Sequence, residues 1–422
     1  MNLVFGAVAD DLTGGLELAA MIVAAGVPCA FATEPPDELE HPAIVIGRRT
    51  RVADPAVAVA DIRRTGTWLR EQGARQIFFK YCATFDSTPA GNIGNCADVL
   101  RELTQSRLTA FCPSFPAAGR RVIQGHLFAD DRVISESPKR HDPLTPMTDP
   151  DLVRVLSQQT ATPVGLIPQQ IVRAGLEAMQ RHCDGLVAGG TGFALADAAV
   201  PEDLAGLAAL TVDWPLMTGN SSIAAYYPPL WRERGLVAPE AGVSGLPAVP
   251  GPAVVLAGSC ADRTRRQLEI FGELRPLLML DLADGDADRI VAEALAWGLP
   301  RLSDGPIAIA TSAGPEAVAA AQARLGQRVA ASLAEEILSR LAEAFREAGT
   351  TRFLICGGET SGAVLDRLGI RTLQVGAYRA PGVSQALADG ARPLAFCLKS
   401  GKLGPEDMLL PMLASMERGE RR

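Results

Sequence analysis

The chain has 422 residues, with 40 basic against 48 acidic side chains, a formal net charge of −8 and 48% hydrophobic residues. That length predicts two or three domains, each able to bury its own core. The acidic balance, without a basic block or interleaved aromatic and basic residues, excludes nucleic acid as an expected partner.

Eight cysteines, at 29, 82, 96, 112, 183, 260, 356 and 397, are scattered without a CxxC or a ligand-like cluster, and read as reduced, buried cytosolic thiols. Asp10 and Asp11 arrive before any long apolar run, so no secretory signal is expected. The longest uncharged stretch, Leu18 to Thr33, is broken by Gly26 and Pro28 and falls short of the ~20 apolar residues a membrane helix needs. A cytoplasmic protein with no membrane partner is expected.

Strand-like runs (Leu3 to Val8, Cys29 to Ala32, Ala43 to Ile46, Gln76 to Phe79, Thr109 to Cys112) alternate with helix-like runs (Leu16 to Ala25, Pro55 to Glu71, Ala97 to Leu103). The alternation predicts βα units on a largely parallel sheet. Where the first strand ends, Asp10 and Asp11 precede Leu12-Thr13-Gly14-Gly15. Adjacent carboxylates there suit sugar hydroxyls and Mg²⁺, and one could take the proton from an attacking hydroxyl; Asp11 or Thr13 could equally only cap the helix. Arg48, Arg49 and Arg51 follow the third strand, and the guanidinium fork suits a carboxylate; one of them is expected to face substrate, with the others solvated. Lys80 to Gly94 is dense in polar groups for a turn, and Lys80 can neutralise a substrate carboxylate or a moving phosphoryl group. The alternative there is a solvated loop with Asp86 or Ser87 capping a helix. Residues 121 to 135 predict a β-hairpin insertion.

Residues 240 to 252, with three prolines and three glycines, read as a linker, which sets an N-terminal domain at 1–239 and a C-terminal domain at 253–422. Beyond it a strand, a small-residue turn and a helix recur three times, with turns at Gly258-Ser259-Cys260, Thr311-Ser312-Ala313-Gly314 and Gly357-Gly358-Glu359-Thr360. In an open parallel sheet such turns share the carboxyl edge, where ligands bind. The last continues into Ser361-Gly362 and has the layout of a phosphate cradle: glycines let the backbone come close, and the helix N-terminus attracts anions. Its plainer reading is a turn capped by Thr360 or Ser361. Lys399-Ser400-Gly401-Lys402-Leu403-Gly404 lacks the full GxxxxGK[ST] spacing. His126 and His141 have no paired-ligand spacing, so no protein-bound metal is assigned. The absence of GxGxxG after the first strand counts against a dinucleotide dehydrogenase.

With these motifs in place, the chain resembles the four-carbon acid sugar kinases nearly end to end. Ala9-Asp10-Asp11-Leu12-Thr13-Gly14 is similar to the family's N-terminal signature. Gly258-Ser259-Cys260, Gly357 to Gly362 and Lys399-Ser400-Gly401 are similar to its nucleotide-binding turns. The Lys80-Tyr81-Cys82 loop through Gly94, Gln124 to Phe128 and His141 to Asp149 resemble the branch that phosphorylates 3-oxo-tetronate; the shorter Lys-x-Asp-Ser-Thr form of threonate and erythronate kinases is absent. Gly15 departs from the usual alanine, and Gly219-Asn220-Ser221-Ser222 stands where a more glycine-rich turn is usual, so Cβ atoms at Asn220 and Ser222 bear on how closely that turn can approach a ligand.

The resemblance implies an α/β protein of two domains, each on a largely parallel sheet with flanking helices, and an active site in the interdomain cleft. It implies transfer of the ATP γ-phosphoryl to the C4 hydroxyl of the acid sugar, with Mg²⁺ bridging the phosphates. ATP would lie on Ser259, Gly357, Gly358, Glu359, Thr360, Ser361 and Gly401. The acid sugar would lie on Asp10, Asp11, Arg49, Lys80, Asp86 and Ser87, with the base left open among Asp10, Asp11 and Asp86. Threonate or erythronate as substrate, a non-catalytic acid-sugar or nucleotide sensor, and a homodimer stay open as alternatives.

Overall fold

A computed structural model describes residues 3–142, 144–238, 245–282, 285–311 and 324–420. The chain divides into two compact units, Met1–Val243 and Ser244–Arg422. Among the described residues no helix is long and apolar enough to cross a membrane.

The first unit carries strands β1 (Phe5–Ala9), β2 (Cys29–Ala32), β3 (Ala43–Gly47), β4 (Gln76–Lys80), β5 (Thr109–Cys112), β6 (Arg120–Ile123), β7 (His126–Ala129), β8 (Arg132–Val133), β9 (Val164–Ile167), β10 (Phe193–Ala196) and β11 (Leu216–Gly219). Its main sheet runs β2-β3-β1-β4-β11-β5-β10-β9 and is parallel throughout. The inner strands read Phe-Gly-Ala-Val-Ala, Ala-Ile-Val-Ile-Gly and Gln-Ile-Phe-Phe-Lys and are buried along their whole length, because helices cover both faces of a parallel sheet. Chain connections leave β1 toward β2 and β3 and then cross over to β4, so β1 lies at the switch point where a crevice opens at the carboxyl ends. Register aligns Ala9 with both Gly47 and Lys80. The segments after β1 and β3 therefore emerge level with Lys80.

Helix Leu12–Ala24 begins four residues earlier than its apolar run predicts. Two glycines in its first turn disfavour helix, but the Asp11 side chain caps it by accepting from the Gly14 amide. Helix Ile93–Thr104 starts after Asn92, so neither Asp86 nor Ser87 is its cap. The insertion is a three-stranded antiparallel sheet, β6-β7-β8, followed by two 3-10 turns ending at His141. Cys260 is exposed and Cys82 half-buried, against the expectation of buried thiols; the other cysteines are buried.

Under the sheet an aromatic column joins Phe79, Tyr81, Phe85, Phe111 and Phe193, with Tyr81 edge-on to Phe85 at 5.3 Å and Phe111 edge-on to Phe193 at 4.9 Å. The buried Tyr81 hydroxyl lies 3.1 Å from Thr218 Oγ1, which itself donates to Ala110 O, so Tyr81 is the donor in that pair.

The second unit carries β12 (Ala253–Ala257), β13 (Leu277–Met279), β14 (Ile307–Ala310), β15 (Arg352–Cys356), β16 (Thr372–Val375), β17 (Val383–Ala388) and β18 (Leu394–Lys399). The order is β13-β14-β12-β15-β18-β17-β16, parallel except for β17, which is antiparallel to both neighbours. Register sets Ala257 beside Cys356 and Cys356 beside Lys399, so the turns that follow β12, β15 and β18 leave one edge side by side. Of the Thr311 to Gly314 turn, residues 312–314 lie outside the described residues.

Truncating Phe111, whose ring sits between Tyr81 and Phe193, should cost about 3–5 kcal/mol. Phe111→Ala is expected to lower the urea midpoint of the tryptophan-reported transition without changing its slope; a loss under about 1 kcal/mol would show that this column does not hold the unit together.

Candidate functional site

The site of the first unit begins with backbone. Beyond β1, Asp10 N donates to Lys80 O (3.0 Å), Arg48 N to Ala9 O (2.8 Å) and Thr50 N to Asp10 O (3.1 Å). The 48–51 segment thus runs along the end of β1 and carries Arg51 onto the two acids. Arg51 grips Asp10 through two bonds, Nε to Oδ2 at 2.9 Å and Nη2 to Oδ1 at 2.8 Å, and reaches Asp11 Oδ1 at 2.8 Å. Lys80 Nζ donates to the same Asp11 oxygen at 2.9 Å and lies 4.0 Å from Asp10. The other Asp11 oxygen accepts from Thr13 Oγ1 at 2.7 Å and from Gly14 N at 3.2 Å. Asp11 thus caps the helix, the plainer of its two readings in the sequence, and is ion-paired to Arg51 and Lys80 as well. A Cβ on residue 14 would fall 1.6 Å from the Lys80 ammonium, so only glycine lets Lys80 lie across the helix start.

These carboxylates are electrostatically unequal. Burial pushes Asp10 above the ordinary carboxylate value, and the opposing charge of Arg51 does not overcome it. Burial opposes ionisation of Asp11 as well, but Arg51 and Lys80 together hold it far below the usual range. Lys80 is itself desolvated, yet Asp11 and Asp10 keep it charged beyond the ordinary lysine value.

Asp86 arrives on the loop after β4. Phe85 takes a left-handed backbone (φ +50°), its ring anchored beside Tyr81. Asp86 accepts from Thr84 Oγ1 and pairs with Lys139 Nζ at 2.8 Å. Lys139 spends its other donors on Asp142 Oδ2 (2.8 Å) and Thr145 Oγ1 (3.0 Å). Burial would raise the Asp86 pKa, but Lys139 and then Arg51 outweigh it and keep the group ionised. Cys82 Sγ accepts from Asp86 N at 3.1 Å, and burial next to Asp86 pushes its thiol up to about 11, so it is no nucleophile at neutral pH. Ser87 is buried and receives Gln159 Nε2 at 2.7 Å. Asn92 ties the loop back to Thr50 O and Ala53 O at 2.7 and 2.9 Å.

The three arginines divide differently from expectation. Arg51 meets Asp10 and Asp11, Arg48 pairs with Asp61 (2.7 Å) and Glu34 (2.8 Å), and Arg49 is exposed. Sequence reasoning also passed over Lys139. Its Lys-Arg-His-Asp surroundings resemble a charged surface turn, and only the fold of the insertion delivers it to Asp86. At Gly219 to Ser222, Asn220 caps a short helix through Ser222 N (3.0 Å) and Ser222 Oγ donates to Ser114 O (2.6 Å), so these side chains are spent on structure.

In the second unit Gly258 N and Ser259 N donate to Cys356 O at 3.1 and 3.2 Å, and Gly357 N to Lys399 O at 2.9 Å. Gly357 has φ +124°, the backbone region reserved for glycine, and leads into helix Gly358–Arg367 with no side-chain cap. Ser361 Oγ turns back to Gly357 O at 2.7 Å instead of capping. A Cβ on Gly401 would fall 2.0 Å from Ser259 Oγ, so the first and last turns touch. Ser259, Gly357 to Ser361 and Gly401 thus lie on adjacent turns beside a helix N-terminus that has no side-chain cap, an arrangement whose chemistry suits a polyphosphate.

Residues 5–227 match a family model described as a sugar-binding N-terminal domain, and residues 254–409 one described as a nucleotide-binding C-terminal domain. A Pseudomonas fluorescens Pf-5 protein named 3-oxo-tetronate kinase is 41% identical over 424 residues, covering 98% of this chain and 97% of that protein. One of the same name from Burkholderia multivorans is 39% identical, covering 98% and 97%. Among solved structures, a Haemophilus influenzae protein of family DUF1537 superposes with TM-score 0.76 at 31% identity, covering 97% of this chain and 100% of that one. A Salmonella typhimurium LT2 protein, provisionally labelled a tRNA synthase, superposes with TM-score 0.84 at 33% identity, covering 97% and 98%. Matched from end to end in both sequence and fold, the chain belongs to the four-carbon acid sugar kinase family.

Proposed function

We propose that this kinase phosphorylates the C4 hydroxyl of 3-oxo-tetronate with ATP, and that the acid sugar is held where β1, β3 and β4 end. The observation that carries the reading is the inequality of Asp10 and Asp11 beside two buried cations. Asp11 accepts from Thr13, Gly14, Lys80 and Arg51; its lone pairs are committed, and its role is to hold the cations in place. Among the described residues the Asp10 side chain accepts from Arg51 only, and Asp10 is the more basic carboxylate. Paired groups whose environments drive their pKa values apart divide the work of acid and base. Asp10 is therefore the group to orient and deprotonate the C4 hydroxyl.

Arg51 engages the acids through Nε and Nη2, leaving its Nη1 hydrogens for the substrate carboxylate, and Lys80 retains donors for a carboxylate or carbonyl. This gives Arg51 the role first assigned to Arg49. Asp86 and Ser87, fixed by Lys139 and Gln159, face substrate hydroxyls in this scheme. ATP lies on Ser259, Gly357 to Ser361 and Gly401, and Mg²⁺ arriving with the nucleotide offsets the charge of the β- and γ-phosphates.

The first test is ADP formation by the purified protein with Mg²⁺ across 3-oxo-tetronate and both enantiomers of threonate and erythronate. Turnover confined to 3-oxo-tetronate is expected. Turnover on threonate or erythronate would keep the kinase and discard the substrate, and ATP binding without turnover on any acid would discard catalysis.

Asp10→Asn should lower kcat by roughly 10²- to 10⁴-fold with the fold intact; a near wild-type kcat would move the base elsewhere. The base works only when deprotonated, so kcat/KM should fall as pH drops through the Asp10 pKa, which burial sets above 3.8. An acid limb centred at or below that ordinary value would exclude Asp10.

A further inference from the structure

Lys399 ends β18 with its side chain fully buried. Its ammonium donates to Thr264 Oγ1 at 2.8 Å, Ser400 O at 2.7 Å and Gly401 O at 3.2 Å. Thr264, on helix Asp262–Gly272, donates in turn to Gly401 O at 2.8 Å. The three groups form a closed triangle that pins the Ser400-Gly401 turn at the spot where Gly401 packs on Ser259. The triangle is neutral apart from the lysine, and among the described residues no carboxylate pairs with it. A desolvated ammonium that meets only carbonyls and a hydroxyl is an unbalanced charge. It is bonded to the Ser400-Gly401 turn, and its own carbonyl accepts from Gly357 N, so it adjoins the backbone that suits a polyphosphate.

We propose that Lys399 is a positioning residue for the nucleotide: it locks the Ser400-Gly401 turn against Ser259 and supplies a standing positive charge that the incoming phosphates balance. This rests on reading Ser259, Gly357 to Ser361 and Gly401 as the nucleotide cradle. All three ammonium hydrogens are spent on Thr264, Ser400 and Gly401, so Lys399 acts through the turn and not by touching phosphate.

Burial draws the Lys399 pKa below the ordinary lysine value of 10.5. The titratable groups acting on it are the thiols of Cys356 on β15 and Cys397 on its own strand, and the Arg263 guanidinium on helix Asp262–Gly272. Burial pushes both thiols up, so they are neutral at physiological pH, and Arg263 pairs with Glu406 at 2.7 Å. A phosphate anion favours the charged lysine, so nucleotide affinity should be full at neutral pH and decline as pH rises through the Lys399 pKa. The terminal phosphate of ADP, with a pKa of about 6, is already ionised across that range.

The test is ADP affinity by calorimetry from pH 7.5 to 10.5, the ordinary lysine value, for wild type, Lys399→Met and Lys399→Arg, with hydrogen exchange of the Gly358 to Ser361 amides followed alongside. The proposal expects an alkaline decline in wild type. It expects about 10- to 100-fold weaker binding and a flat profile in Lys399→Met. In Lys399→Arg it expects affinity within a few-fold of wild type and no alkaline decline, since arginine does not titrate there. A Lys399→Met protein that binds ADP as wild type, with the same pH dependence, would overturn it. Should Lys399→Met not fold, a Lys399→Arg protein that keeps the decline overturns it and one that loses the decline supports it. ADP that leaves the Gly358 to Ser361 amides unprotected would instead overturn the cradle beneath it, so the two failures are distinct.

Discussion

Everything in the first unit's site depends on four charges, Asp10, Asp11, Arg51 and Lys80, neutralising one another at the end of β1. Each is largely out of water, with side-chain exposures between 3% and 22%. Desolvating such groups costs several kcal/mol apiece and is offset only when geometry and hydrogen bonding are nearly complete. Here the completion comes from backbone: the Asp11 cap on the helix, the parallel register that brings Lys80 level with Ala9, and the 48–51 segment bonded along the strand end. Removing one member would strand a buried charge, at about 3–5 kcal/mol. The arrangement is therefore set in advance, and an acid sugar bound there, as proposed, would meet oriented donors at little reorganisation cost.

On the proposed reading the second unit meets the complementary problem mainly with backbone, the buried Lys399 being held on carbonyls and a hydroxyl behind the turns. Its turns present amides and a helix N-terminus, and partial charges fixed in the backbone cannot swing away from a ligand. Division of labour follows from ligand chemistry. An acid sugar carries hydroxyls that must be told apart by placed side chains, whereas the phosphates of a nucleotide are symmetric oxyanions that backbone amides serve equally well.

Much of this was legible in the sequence for a definite reason. In a parallel sheet the residues just after each strand gather at one edge, so Asp10 and Asp11, Lys80, Ser259 and the Gly357 turn can be placed on such edges from strand ends alone. What was not legible depends on direction rather than position. Three arginines follow β3 within four residues, and only the path of the backbone past Ala9 and Asp10 decides that Arg51 turns inward while Arg48 is taken by Asp61 and Glu34. The early start of helix Leu12–Ala24 was missed because propensity disfavours its glycine pair, while a side-chain cap and a lysine lying over Gly14 impose it. Lys139 was invisible because its partner is remote in sequence and joined to it only by the folded insertion.

That last link has a consequence for how the molecule comes into being. The loop after β4 is made early, and Arg51 already acts on Asp86, but its direct partner Lys139 arrives only when the turn beyond the β6-β7-β8 sheet has docked, a contact of long sequence separation. On a ribosome the first strands and the Asn92 tie to Thr50 and Ala53 are available early, but the fastening of the loop is complete only after the chain has passed Lys139 and Gln159. On the proposed reading, competence to hold the sugar is thus acquired late in synthesis of the first unit, and a chain interrupted before the insertion would carry Asp10, Asp11 and Asp86 without the Lys139 clasp.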